Sequence, residues 1–188
     1  MKTYLFLDVE TTGFKKSGNL IQEGQGRVCQ IAMILAREDG RILSEFSSLI
    51  KPDGWTIGAG AQKVHGISQE DCEEYGLSID GIMNVFEIMV DKSTQRVAHN
   101  EAFDRGMMDV EVAYYTQNYL GDDSIYLEPQ KPWFCTMKSN VHINNGRWPK
   151  LAQAYKHYTG KELSGAHDAM VDTRACMEIF FAMRGVKI

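Results

Sequence analysis

The sequence predicts an α/β fold: a mixed five-stranded sheet flanked by helices, in which an antiparallel three-strand meander precedes parallel strands. Three observations carry this. Up to Ile50 the chain holds three apolar runs of strand character, the second and third joined by Asp39-Gly40, a strong hairpin signal. Beyond Ser68 the apolar spacing changes to that of helices. Short apolar runs then alternate with helical stretches, the pattern of a sheet covered by helices.

Each element follows in order. The first strand is expected over Lys2–Val9. Asp8 and Glu10 close it with Val9 between them. A strand alternates its faces, so the two acids point the same way. Like charges side by side are unfavourable unless something positive sits between them. A glycine-rich loop runs from Gly13 to Gly26 and carries Lys15-Lys16. RVCQIAMILA (Arg27–Ala36) and RILSEFSSLI (Arg41–Ile50) are the second and third strands. SQED (Ser68–Asp71) reads as a capping box with a shorter acid. In SIDGIMNVFEIMV, Ile79, Ile82, Met83, Phe86, Met89 and Val90 form one face of an amphipathic helix. RVAHN (Arg96–Asn100) is a short buried strand. A helix is expected from Glu101 to about Tyr119, a loop from Asp122 to Pro132, and a last short strand at WFCT (Trp133–Thr136). PKLAQAYKHYTG ends a further helix at Gly160, a C-cap residue. The final helix spans Val171–Met183, with Val171, Ala175, Ile179 and Met183 along one side.

With 188 residues, the chain is expected to form one domain, 1–188, with a substantial core. A hydrophobic share of 44% excludes disorder. The net charge of −5 means that a polyanionic substrate needs local cations, because the global field opposes it. Four scattered cysteines without a C-x-x-C pair fit reduced thiols better than a disulfide framework or zinc site. No run is apolar enough to span a bilayer, and the N-terminus lacks a secretory apolar region. A cytoplasmic protein with no membrane partner is therefore expected.

Ligands of mixed sheets sit at the carboxyl ends of the strands, where Asp8 and Glu10 lie. Two other clusters reach that edge. AHNEAFD puts Asp104 in the first turn of a helix. AHDAMVD (Ala166–Asp172) precedes the last helix. His167 and Asp172 are about 140° apart on a regular helix, so His167 is expected on the loop before it and Asp172 inside it, both facing one cavity. Several carboxylates at one edge repel. Hard divalent cations relieve this and prefer oxygen ligands. Two metals about 3.5–4 Å apart clamp the attacking and leaving oxygens of a phosphoryl displacement. A neutral histidine beside them can take a proton from water. Carboxylates with one histidine and no cysteine point to two Mg²⁺ or Mn²⁺ ions rather than structural zinc.

At these residues the sequence resembles the DEDDh family of 3′→5′ exonucleases, the DnaQ-like, proofreading-subunit-like enzymes of the ribonuclease H-like superfamily. FLDVETTGF resembles the motif D-x-E-T-T-G, AHNEAFD resembles H-N-x-x-F-D, and HDAMVD resembles H-x-A-x-x-D. The three occur in order and span nearly the whole chain. The resemblance implies that Asp8, Glu10 and Asp172 bind the metal that activates water. It further implies that Asp8 bridges to a second metal supported by Asp104, and that His167 is the general base. It places the terminal 3′-hydroxyl on the backbone around Thr11 and Gly13, Phe14 as a wedge against the last base, and His65 of VHGIS near the terminal nucleotide. The loop from Phe14 to Gly26 is longer than the family pattern and adjoins that end.

The activity implied is hydrolysis of single-stranded DNA 3′ ends to nucleoside 5′-monophosphates, with trimming of RNA 3′ ends as the alternative. A nucleic-acid-binding subunit with a vestigial site is the alternative of another class. A polymerase or a homodimer mate would be the protein partner. His99 is read as a residue bonding backbone, Asn100 as a helix N-cap or turn former, and His142 and His157 as surface residues. Trp133, Phe134 and Trp148 are read as core or edge packing, and Lys15, Lys16, Lys138, Arg147 and Lys150 as solvating cations.

Overall fold

In the computed structural model, which describes residues 1–120 and 131–188, strand β1 (Thr3–Thr11) runs through the middle of the sheet. β2 (Val28–Arg37) pairs with it antiparallel, and β3 (Ile42–Leu49) pairs antiparallel with β2. β4 (Gln95–Ala98) and β5 (Trp133–Cys135) extend the other edge in parallel, giving the order β3-β2-β1-β4-β5. The expected mixed five-stranded sheet is therefore present. The β2–β3 turn closes with Gly40 at φ 88°, a left-handed conformation that glycine adopts without strain.

The faces of β1 explain the layers. Leu5, Leu7 and Val9 point into a core shared with Phe86 and Val90 of α3 (Ile79–Lys92) and Met107 of α4 (Glu101–Tyr115). Tyr4 and Phe6 point the other way, onto Phe180 and Phe181 of the last helix. The ring centroids of Tyr4 and Phe6 lie 4.7 and 5.2 Å from that of Phe180, edge-on. Such pairs add about 0.5–1.5 kcal/mol each beyond burial. This aromatic cluster holds the far end of the last helix against the start of β1.

Several local readings hold. The six-residue apolar face of α3 is buried, with Ser78 as its N-cap. Ser68 and Asp71 form the capping box of α2 (Gln69–Tyr75). Gly160 ends α6 (Leu151–Thr159) at φ 73°. Others change. β1 continues past Val9 to Thr11. α4 gives way after Tyr115 to a π-helical turn, Thr116–Leu120, where the Thr116 hydroxyl donates to the Val112 carbonyl at 2.8 Å and competes with the regular ladder. The last helix, α7, spans Ala169–Ala182, starting two residues early because Asp168 accepts the N–H groups of Met170 and Val171. Its buried face carries Ala175 and Ile179 as expected, but Asp172, Cys176 and Phe180 replace Val171 and Met183. α1 (Ala59–His65), α5 (Thr136–Ser139) and a 3₁₀ turn (Val141–Asn144) have no periodic signal long enough to predict them. The loop expected over 122–132 lies outside the described residues except for Lys131 and Pro132. Among the described residues no helix is long and apolar enough to cross a membrane.

A buried ion network fixes the start of β2. The Arg27 guanidinium donates to both carboxylate oxygens of Glu111 on α4, at 2.9 and 2.8 Å, and to Asp53 at 3.0 Å. It stacks 3.7 Å from the Tyr114 ring centroid, and Glu111 also accepts the Val28 N–H at 2.8 Å. Removing one member leaves a charge stranded in the interior. Glu111→Ala is therefore expected to lower the unfolding free energy by about 3–5 kcal/mol in denaturant titration. Glu111→Gln, which keeps one acceptor, is expected to lose less, and an unchanged midpoint for Glu111→Ala refutes this account.

Candidate active site

β1 keeps its alternation to the end, so Asp8 and Glu10 continue the face that begins with Tyr4 and Phe6. α7 lies along that face in the reverse direction. Its end packs on Tyr4, and its first turn brings Asp172 to Glu10. One ligand atom each from Glu10, His167 and Asp172 falls within 4.8 Å of the other two. Asp8 and Asp104 stand outside that tight trio, yet near enough for the charge of Asp104 to act on Asp8.

The electrostatics are those of crowded acids. Burial, then the charges of Asp104, Asp172 and Glu10, raise the Asp8 carboxyl well above its ordinary range. Burial first, then Asp172 and Asp168, push Glu10 up to about 8. Burial also raises Asp104, although the N–H groups of Val9 and of Asp104 itself partly stabilise its charge. Asp172 is raised by burial and held back by the N–H of His167. Its Oδ2 accepts that N–H at 3.2 Å, while its buried Oδ1 has no partner among the described residues. An orphaned buried carboxylate oxygen, in a set of acids raised by burial and mutual repulsion, is the donor chemistry of a hard divalent cation.

His167 lies on the loop before α7, exposed, with φ 70°. A left-handed non-glycine residue costs about 1 kcal/mol or more. The bond from its N–H to Asp172 holds it there and keeps its ring beside Glu10 and Asp172. Asp168, the N-cap of α7, adds a further negative charge to Asp8, Glu10 and Asp172. Sequence reasoning passed over it, although it directly follows His167 in HDAMVD.

Thr11, Gly13, Phe14 and His65 line one cavity of about 450 Å³ beside Glu10. The Ile67 N–H donates to Nδ1 of His65 at 3.0 Å, which leaves the proton on Nε2, 3.9 Å from the Cys29 sulfur. Burial, with a smaller contribution from His167, lowers this imidazole's pKa. Phe14 is 82% exposed and meets Phe103 of α4 edge-on at 6.2 Å. Phe103 and Val64 also line the cavity; the F of AHNEAFD was the available signal for Phe103.

The glycine-rich loop is braced from behind. The buried Gln25 carboxamide accepts the Lys16 N–H and donates to the carbonyls of Lys16 and Asn19 at 3.3 Å. Gly26 packs so closely under this turn that a Cβ would lie 2.5 Å from the Gly13 carbonyl and 2.7 Å from that of Phe14. The loop therefore sets where Phe14 stands. On the other side of the acids, His99 donates from Nε2 to the Pro149 carbonyl at 3.1 Å and accepts from the Thr136 hydroxyl at 2.9 Å on Nδ1. Burial pushes its pKa down to about 4, so it is a neutral strut bonding backbone, as expected. Asn100 takes φ 74° and makes no side-chain cap bond, so it is a turn former. His142 and His157 are exposed, and Trp133 and Phe134 pack against the cores. Trp148 is 63% exposed, which corrects its reading as packing: it sits in a turn outside both clusters.

No curated protein matches the chain in sequence. Solved structures do match. Escherichia coli exonuclease I in complex with a dT13 oligonucleotide is 20% identical, with a TM-score of 0.74 over 99% of this chain and 42% of that one. The complex with a dA16 oligonucleotide is 18% identical, with a TM-score of 0.75 over 100% and 42%. A zinc-bound form of the same enzyme with single-stranded DNA is 19% identical, with a TM-score of 0.71 over 98% and 42%. The chain thus spans about two fifths of the length of exonuclease I and shares its ribonuclease H-like fold. A family model described as Exonuclease (RNase_T) matches residues 5–180, a stretch that includes the strand of Asp8 and Glu10, the helix of Asp104 and the loop and helix of His167 and Asp172, and the chain belongs to that exonuclease family.

Proposed function

We propose that this chain, acting as one domain over 1–188, is a divalent-metal-dependent 3′→5′ exonuclease that shortens single-stranded DNA and releases nucleoside 5′-monophosphates. The observation that carries this is the convergence of Glu10, His167 and Asp172 beside an unpartnered buried oxygen of Asp172. Asp8, Glu10 and Asp172, with Asp104, would hold two Mg²⁺ or Mn²⁺ ions. Bound there, the cations neutralise the carboxylates and stabilise charge on the phosphoryl oxygens. The imidazole of His167, exposed beside the acids, accepts the proton of the attacking water. The terminal nucleotide occupies the cavity walled by Thr11 and His65, with its base against Phe14 and Phe103. The bond from phosphorus to the 3′ oxygen breaks, so the phosphate leaves on the released nucleotide and the shortened strand keeps a 3′-hydroxyl. Likeness to exonuclease I bound to oligothymidylate and oligoadenylate supports DNA as substrate. Four free, buried cysteines support a reducing compartment such as the cytoplasm.

The direct test is digestion of 5′-labelled DNA and RNA oligonucleotides, single- and double-stranded, with and without Mg²⁺ or Mn²⁺. A metal-dependent ladder on single-stranded DNA is expected, and binding without shortening refutes the reading. Asp8→Asn and Asp172→Asn are expected to lower kcat by about 10³-fold or more while leaving the fold intact by circular dichroism.

The raised carboxyls also dictate a pH dependence of stability. Native Glu10 titrates at about 8, against 4.5 ordinarily, so between those values the folded chain holds a proton that the unfolded chain has released. Stability of the metal-free protein therefore falls as pH rises through this window. Cations bind the ionised acids, so Mn²⁺ is expected to raise Tm more at pH 8 than at pH 5. An equal rise at both values contradicts the cluster as the binding site. Gly26→Ala, which displaces the backbone under Phe14, is expected to raise KM for DNA more than it lowers kcat.

A further inference from the structure

A single exposed aromatic residue needs no explanation in general. Trp148 differs in its place and its neighbours. It stands between Arg147 and Pro149 in a turn bent by Asn145 and Gly146, at φ 51° and 80°. The turn is fixed: Asn144 Nδ2 donates to the Trp148 carbonyl at 3.3 Å, and the Arg147 N–H donates to the Asn144 carbonyl at 3.0 Å. The next carbonyl, that of Pro149, is bonded to His99 at 3.1 Å. His99 directly follows β4, which runs parallel to β1 with Val97 level with Phe6. The turn is thus pinned to the same carboxyl edge as Asp8 and Glu10, on the β4 side. The cavity for the terminal nucleotide lies on the other side, where His65 meets Cys29 of β2. A strand whose last nucleotide fills that cavity must leave the acids away from it. On the β4 side the turn offers an exposed indole with Arg147 and Lys150, both exposed, beside it in the chain.

We propose that Trp148 is a stacking platform for a base on the 5′ side of the scissile phosphate, with Arg147 beside it meeting the strand's phosphate backbone. This rests on the exonuclease reading above and adds the direction in which the strand departs. Stacking on an aromatic face is tolerant of sequence, because every base has a π-face, and the adjacent cations supply the attraction that the net charge of −5 withholds. The chemistry fits a single strand: in a duplex the bases are already stacked on one another and offer no free face.

The test uses two substrates. Thymidine 5′-(p-nitrophenyl phosphate) reports the reacting centre alone, and an oligothymidylate of about eight nucleotides reports the strand path. Trp148→Ala is expected to weaken oligonucleotide binding, and to raise its KM, by about tenfold, the weight of one stacked base. Ester cleavage should be unchanged, and Trp148→Phe should restore most of the loss. Binding is read separately in EDTA by fluorescence anisotropy of an oligothymidylate carrying a dye at its 5′ end, a reporter that the substitution leaves in place. Equal strand affinity in the wild type and Trp148→Ala overturns the proposal, whether or not the ester is cleaved. An equal loss on ester and oligonucleotide also overturns it, since Trp148 would then support the centre itself. Failure of the wild type to cleave the ester overturns the catalytic reading instead, and the binding comparison still decides the role of Trp148.

Discussion

The repulsion among Asp8, Glu10, Asp104 and Asp172 is the constraint around which the rest of the molecule is arranged. Burial and mutual charge both disfavour their ionised forms, so the edge of the sheet that carries them works against folding when no cation is bound. Other regions must supply what this edge withdraws. The aromatic cluster of Tyr4, Phe6, Phe180 and Phe181 does so at the opposite end of the same two elements. α7 is thereby fixed to β1 by apolar packing at one end and brings its acid to the other. Strain stored at a site and offset elsewhere is the expected arrangement of a functional edge.

The second support is polar. Arg27 begins β2 directly after the glycine-rich loop and is clamped by Glu111 and Asp53. Its backbone also exchanges hydrogen bonds with Thr12. One residue therefore links α4, the segment around Asp53 and the loop that presents Phe14. Burying such an ion pair contributes little net stability by comparison with apolar packing, but its geometry is exacting. Its consequence here is positional: the loop that presents Phe14 is tied to the helix that carries Asp104.

On the other flank the strut is neutral. His99 is too buried to charge and uses both ring nitrogens for hydrogen bonds, joining the β4 terminus to Thr136 and to the turn that displays Trp148. The acids thus have the loop of Phe14, with Phe103, on one flank and the turn of Trp148 on the other.

The sequence by itself determined the sheet's connectivity, the amphipathic face of α3, the capping box at Ser68 and the Gly160 terminus, because each depends on local periodicity or on one residue's backbone preference. It also marked Asp8, Glu10, Asp104, His167 and Asp172, because three motifs in order single them out where any one acid alone would read as a solvated strand face or a helix cap. Tertiary structure alone decided the partners of Arg27, the cavity wall contributed by Val64, and the exposure of Trp148. Asp168 belongs with these: its capping bonds are local, but its charge acts on acids from three other positions. These properties arise from contacts between residues tens of positions apart, and linear spacing carries no record of which distant surfaces a fold will press together or leave in water.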